Sequence, residues 1–239
     1  MTKELGTRVL GVMQPYLFPY LGYFQYIGAC THFIFYDDVQ FIMRGWINRN
    51  NILLNNKPHM LTVPLQKASP NKLIKDTLIS EVSWKEKFLA TLRQAYRSAP
   101  EKLSVIEMVE RVINKDHDSI AGLAHDSIVS VCEYLNMDTE FIHTSTIFKN
   151  AAMNRNDRLA DLCEKMNAGV CVVPLGGSEL YPKEEFAEMN IEMKYLKPVL
   201  TEYVQRSSTE FVSSLSILDV LMWNDRDAVL KMTQAGILR

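Results

Sequence analysis

The sequence is short of the features that declare a function outright. Its four cysteines, Cys30, Cys132, Cys163 and Cys171, lie far apart and mostly in apolar stretches. No CxxC pair occurs and only His32 sits near Cys30, so reduced, packed cysteines are expected rather than a thiolate metal site or redox pair. No stretch approaches about 20 consecutive apolar residues, which speaks against membrane insertion. The opening segment MTKELGTRVLGVMQPY lacks the apolar run and cleavage site of a signal peptide, and a cytoplasmic location is the expectation. Neither sign of charge is in surplus: Lys+Arg 26 against Asp+Glu 28 gives a formal charge of -2. Sequence-independent nucleic-acid binding needs excess cations to displace counterions, so no nucleic-acid partner is expected. GxGxxG, GxxxxGK[ST], GxSxG and HExxH are all missing. The histidines, His32, His59, His117, His125 and His143, form no ligand spacing, so no metal site is predicted. His117 and His125 fall eight apart on one expected helix; a general base among the five is weaker than a surface or core role.

What is present reads as alternating strands and helices. RVLGVM (8–13) is an apolar run ending at Gln14-Pro15, a buried strand. Leu21, Phe24, Ile27 and Gly28 fall at helical spacing behind Pro19, which suits a first turn. HFIFYDDVQF then reads as a second strand, completing a βαβ outline. Residues 46–53 look like a loop or short helix, HMLTVPL (59–65) like a strand, and ASPNKLIKDTLI like a loop returning to extended chain. A helix with a serine cap is predicted from Ser83 to Pro100, and two amphipathic helices near 103–113 and 116–136. EFIHTSTI (140–147) resembles a strand, NDRLADLCEKMN a capped helix, GVCVVPLGGS a strand running into a glycine turn, and EMKYLKP another strand. STEFVSSLSILDVLMWN and DRDAVLKMTQAG read as two closing helices. The fold expected is a single α/β domain over residues 1–239, Rossmann-like with a parallel sheet, carrying a helix-rich middle insertion or subdomain at about 83–136.

The densest chemistry lies in DDVQFIMRGWINRNN. Parallel α/β sheets bind ligands outside the carboxyl ends of their strands, and both this cluster and Gln14-Pro15-Tyr16 belong there. Arg44 and Arg49 can clamp phosphate or carboxylate, with Gln40, Asn48 and Asn50 beside them. The competing reading is an ion-paired loop, Asp37 or Asp38 with Arg44 or Arg49, that anchors two segments. Among the N-terminal aromatics Tyr16 is the better ligand candidate and Tyr23 the weaker, core packing being the usual fate of such a series. Gly177 and Ser178, in a turn after a strand and shortly before Tyr181, can present backbone amides to an anion or simply join strand to helix.

At QPYLFPYLGYFQYI…FIFYDDVQFIMRGWINRNNI the chain resembles the WbqC-like family of bacterial proteins. The resemblance continues through LTVPL, the NDRL helix, the glycine turn before Tyr181, and YVQ…F…LSILDVL. Members are associated with O-antigen and other lipopolysaccharide or surface-polysaccharide loci, which implies a transferase or other enzyme acting on an unusual sugar while it is nucleotide-linked. A more remote resemblance is to the opening of HIGH-type (HUP) nucleotidylyltransferases, but Gly22-Tyr23 stands where those enzymes carry histidine. The function expected is acyl or aminoacyl transfer to the amine of a nucleotide-linked amino sugar. Such transfer requires a base, for which Asp37 and Asp38 are candidates, and oxyanion donors, for which Gln14, Asn48 and Asn50 are. Alternatives are a nucleotidylyltransferase or ATP-dependent ligase and a non-catalytic sugar-nucleotide binding protein. The donor is open: an acyl or aminoacyl compound, with Mg²⁺ or ATP as further candidates. A homodimer is also expected from the many aromatics.

Overall fold

The computed structural model describes residues 6–205 and 210–239. Strand β1 (Gly6–Met13) ends where Gln14-Pro15 breaks the extended backbone, helix α1 (Leu21–Gly28) follows, and β2 (His32–Phe35) returns parallel to β1. Val12 stands opposite Ile34 and Met13 opposite Phe35, so both strands finish at one edge. The second strand is shorter than its β-rich sequence suggests: Asp37, Asp38 and Gln40 lie beyond it.

The stretch 46–53 is a correction. Rather than a loop or short helix, it runs into β3 (Arg49–Leu54), which pairs antiparallel with β4 (Lys57–Thr62) across Asn55 and Asn56. Both turn residues have positive φ, 51° and 61°, as a tight two-residue hairpin turn demands and asparagine tolerates. Three successive polar residues, Arg49 to Asn51, conceal the strand in the sequence.

Three helices follow: α2 (Lys85–Ala95), α3 (Lys102–Asn114) and α4 (Ile120–Leu135). Ser83 does not cap α2. Trp84 holds that position without a side-chain hydrogen bond, and the helix stops at Ala95, short of Pro100. α4 is capped instead by Ser119, which accepts from the Gly122 amide. Strand β5 (Glu140–Ile142) is shorter than the predicted 140–147, because Thr144 caps a 3-10 turn at Ser145–Phe148. Then come α5 (Arg155–Lys165), capped by Asn154, and β6 (Ala168–Pro174). The glycine turn is a 3-10 segment, Leu175–Leu180, leading to α6 (Lys183–Ala187) and β7 (Glu192–Lys197). The chain closes with α7 (Ile217–Trp223), α8 (Arg226–Thr233) and β8 (Ile237–Leu238). The first closing helix begins only at Ile217. Ser208 and Thr209, where it was expected to start, lie outside the described residues, as do residues 1–5 of the segment read for a signal peptide.

The sheet order is β5-β2-β1-β6-β7-β8, parallel throughout except for β8. This is a Rossmann-like α/β fold. After β1 the chain builds outward through β2 to β5, then crosses back to lay β6 on the other side of β1. Right-handed crossovers in opposite directions put helices on opposite faces. Accordingly Phe33, Phe35 and Val172 join one buried cluster with α1 through α4 and α7, while Ile34, Cys171 and Val173 join another with α5 and α6. The helices of the middle segment thus share their buried cluster with α1 and β2. All four cysteines are buried and free. Among the described residues, no helix is long and apolar enough to cross a membrane.

Candidate functional site

The reversal of strand order between β1 and β6 leaves a crevice at the carboxyl ends of those strands, the place where open parallel sheets accept ligands. A cavity of about 370 Å³ occupies it, with Gln14 at the end of β1, Gly176 and Gly177 after β6, Tyr36 after β2, and Tyr181 on its rim. Leu159 and Leu162 of α5 supply an apolar wall. Burial pushes the Tyr36 phenol up to about 12, against the opposing effect of the Arg158 guanidinium. Burial likewise raises Tyr181. Both hydroxyls therefore stay protonated near neutrality and can donate to a ligand oxygen. Gln14 is held in place by Tyr16, whose hydroxyl donates to its Oε1 at 3.3 Å, and by Tyr23, which donates to its carbonyl at 2.8 Å.

Alternation along the strand ends decides what each neighbour meets. Asp38 falls on the α5 side and is ion-paired to Arg158 at 2.5 Å, each side chain only 5% exposed. Arg158 also donates to Asn150 and lies over the Tyr36 ring, 4.2 Å from its centroid. Asp37 falls on the other side. Its Oδ1 accepts from the Thr144 hydroxyl at 2.8 Å and the Ser145 amide at 3.1 Å, while the Ser145 hydroxyl stands between the two carboxylates, 2.5 Å from Asp38 Oδ1 and 3.2 Å from Asp37 Oδ1. The anchoring ion pair is thus with Arg158, 120 residues away, and not with Arg44 or Arg49.

Several residues of the polar cluster serve the backbone. Asn50, buried, donates to the carbonyls of Leu17 and Phe18 at 3.2 and 2.8 Å. Phe18 has φ 38°, a strained value for a bulky residue, and its segment is held from three sides: Asn50, the Ser127 hydroxyl on its amide, and the Ser216 hydroxyl on its carbonyl. Asn48 donates to the Val63 carbonyl, and Arg49 to the carbonyls of Gly45 and Arg44. Arg44 and Gln40 are exposed, and Ser178 is half-buried in the turn after β6. The structure therefore brings together Gln14, Gly177 and Tyr181 around one cavity, with Tyr16 and Tyr23 behind Gln14. It leaves Gln40, Arg44, Asn48, Arg49, Asn50 and Ser178 outside that lining.

A second cavity, of about 300 Å³, lies back to back with the first, on the α4 side of the same strand ends. Pro15, Asp37, Lys75, Ser119, His125 and His143 contribute to it. His125 Nδ1 is 3.0 Å from Asp126 Oδ1, and the rings of His125 and His143 are 4.5 Å apart. Asp126 also meets Lys115 at 2.6 Å and His117 Nε2 at 3.0 Å. Burial pushes the Asp126 carboxyl up, but hydrogen bonds from Lys115, His117 and His125 outweigh it and pull it down to about 2. Desolvation lowers His125, only partly offset by the hydrogen bond to Asp126. The sequence ranks a surface or core role for these histidines above that of a general base; the adjacent pair His125-Asp126 is the local signal it offers. Arg158 and Tyr36 were likewise passed over, though Arg158 lies inside the NDRL segment. Among the described residues, no group of three or more His, Cys, Asp or Glu side chains is placed to hold a metal ion.

Residues 14–231 match the WbqC-like protein family. The uncharacterised protein Rv1507c of Mycobacterium tuberculosis (strain ATCC 25618 / H37Rv) is 25% identical over 216 residues, covering 90% of this chain and 93% of its own. No solved structure matches the chain. The family match begins at Gln14, directly after β1, and extends beyond α7, so it takes in the lining of the second cavity and all of the first except Val12 and Met13. The chain belongs to the WbqC-like family.

Proposed function

We propose that the protein is an enzyme of bacterial surface-polysaccharide (O-antigen) sugar biosynthesis that transfers an acyl or aminoacyl group to the amine of a nucleotide-linked amino sugar. The observation that carries this reading is the cavity at the β1/β6 crossover, lined by Gln14, Tyr36, Gly177 and Tyr181. Its composition suits a nucleotide-linked sugar. Backbone amides around Gly176 and Gly177 can approach a pyrophosphate closely, Tyr36 and Tyr181 offer hydroxyl donors, and Leu159 and Leu162 offer a surface for a ring. The Gln14 amide, at the strand end, can donate to the oxyanion of a tetrahedral intermediate. Asn48 and Asn50 would act on this chemistry only indirectly, since their amides are committed to backbone carbonyls. The same is true of Arg49. Exposed Arg44 remains a candidate for the outer phosphate or a donor carboxylate.

Adenylation by helix-borne histidines finds less support, because the Tyr23 hydroxyl at that helix start is bonded to the Gln14 carbonyl. The test is thermal-shift screening with UDP- and dTDP-linked amino sugars, ATP, CTP and acetyl-CoA, followed by mass spectrometry of any product. A ligand present at about 100 times its Kd raises the melting temperature by about 5–10 °C in a chain of this size. A shift with a nucleotide-linked amino sugar, and an acylated product, support the proposal. No shift and no product with any acyl donor contradict it. Pyrophosphate release from ATP or CTP favours a nucleotidylyltransferase or ligase instead.

A further inference from the structure

His117 and His125 share one carboxylate but differ in what their other nitrogen does. In His117, Nε2 faces Asp126 Oδ2 and Nδ1 faces the Lys115 carbonyl, each at 3.0 Å, so both nitrogens are engaged. His125 binds Asp126 through Nδ1, and its Nε2 is buried with no hydrogen-bond partner among the described residues. The carboxylate can only accept, so the proton of neutral His125 sits on Nδ1 and Nε2 carries the lone pair. A buried polar atom left unpaired costs about 1–3 kcal/mol, and buried groups of this kind call for a reason. Here the unpaired nitrogen belongs to a ring that lines a cavity at the strand ends, beside Asp37 and His143. The ring is also fixed edge-on to Phe35, 4.4 Å between centroids. A base oriented by a third group is the arrangement that proton abstraction in acyl transfer uses.

We propose that His125 is the general base of the transfer and Asp126 the residue that sets its tautomer and orientation. This rests on the acyl-transfer reading above. With the nucleotide held in the first cavity and the sugar reaching over the ends of β1 and β2 into the second, the amine adds its lone pair to the carbonyl carbon of an activated ester or thioester donor, forming the C–N bond. The bond from that carbon to the donor heteroatom breaks, its electron pair leaving with the heteroatom. His125 Nε2 takes the proton shed by the nitrogen and returns it to the leaving group. Lys115 and His117 hold Asp126 from the far side. Asp37, Lys75 and His143 are the other titratable groups around the cavity.

Two measurements test this, and one needs no substrate. Long-range ¹H–¹⁵N NMR of the intact folded protein reads the state of each imidazole nitrogen without needing solvent access to the ring. His125 is expected to show a proton on Nδ1 and an unprotonated, unbonded Nε2, whereas both His117 nitrogens show hydrogen-bonded shifts; a proton on His125 Nε2 overturns the proposal. In the transfer assay, His125→Gln keeps an amide for Asp126 and should lower kcat about 10²–10⁴-fold at little change in KM. The wild-type fall in kcat on the acid side of neutrality should vanish in that variant. Unchanged kcat in a His125→Gln protein of native melting temperature overturns the proposal. If no nucleotide-linked amino sugar is turned over, the acyl-transfer reading fails, and the NMR contrast alone still decides whether Nε2 carries the free lone pair.

Discussion

Two polar regions meet at the carboxyl edge of the sheet, and they use polarity in opposite ways. Between Asn48 and Asn50 every side chain is bonded to backbone, closing the strained segment at Phe18 and the turn around Gly45. In the region from Lys115 to Asp126 the side chains bond one another and leave one nitrogen unused. The first region spends its polar groups on the backbone, and the second keeps one nitrogen in reserve. Density of polar residues in the sequence does not separate the two; what separates them is whether the hydrogen-bonding capacity is exhausted inside the fold.

Substitutions sharpen this contrast. The largest loss is expected at the ion pair behind the first cavity: Arg158→Ala strands a buried Asp38 and should lower stability by about 3–5 kcal/mol, read from urea unfolding. Asn50→Ala leaves the Leu17 and Phe18 carbonyls without this donor, an expected loss of about 1–3 kcal/mol by the same measurement. A loss below about 0.5 kcal/mol would remove Asn50 from the scaffold. The histidine region predicts a pH signature rather than a large loss. Because the folded state lowers the pKa of His125 from 6.5, the unfolded chain binds more protons between that lowered value and 6.5. Stability therefore rises with pH through that window and levels off above it. His125→Gln should flatten the rise when urea midpoints are compared at about pH 5 and about pH 8; an unaltered slope would show that another group causes it. Asp126 acts in the same sense further toward acid, its contribution present above 3.8 and lost as pH falls toward about 2. Smallest of all, Arg44→Ala should change stability by less than about 0.5 kcal/mol, since its side chain is exposed.

The parallel sheet was legible because RVLGVM and HFIF are apolar runs that end abruptly at polar residues; α5 was legible as a helix, but its cap is Asn154 and not an asparagine of the NDRL segment. Strand β3 was not: its buried residues Asn50, Ile52 and Leu53 do not alternate in polarity, and Asn50 is buried to bond carbonyls. Gln14 and Gly177 were placed at this edge from strand-end position and Tyr181 from the family resemblance, and all three line the one cavity. Arg158, Tyr36 and His125 were not, since their partners lie across the fold: Asp38 is 120 residues from Arg158, and Phe35 packs on His125 from another element. Strand-end placement can be read locally, whereas the pairing of charges and the orphaning of a nitrogen emerge only when distant elements pack.

The central claim, that the cavity between β1 and β6 binds a nucleotide-linked amino sugar, is tested most directly by a crystal structure with such a compound bound. The account predicts its pyrophosphate against the amides near Gly176 and Gly177, with the sugar toward Gln14 and the ends of β1 and β2. Ligand density elsewhere, or an empty cavity at millimolar ligand, would contradict it.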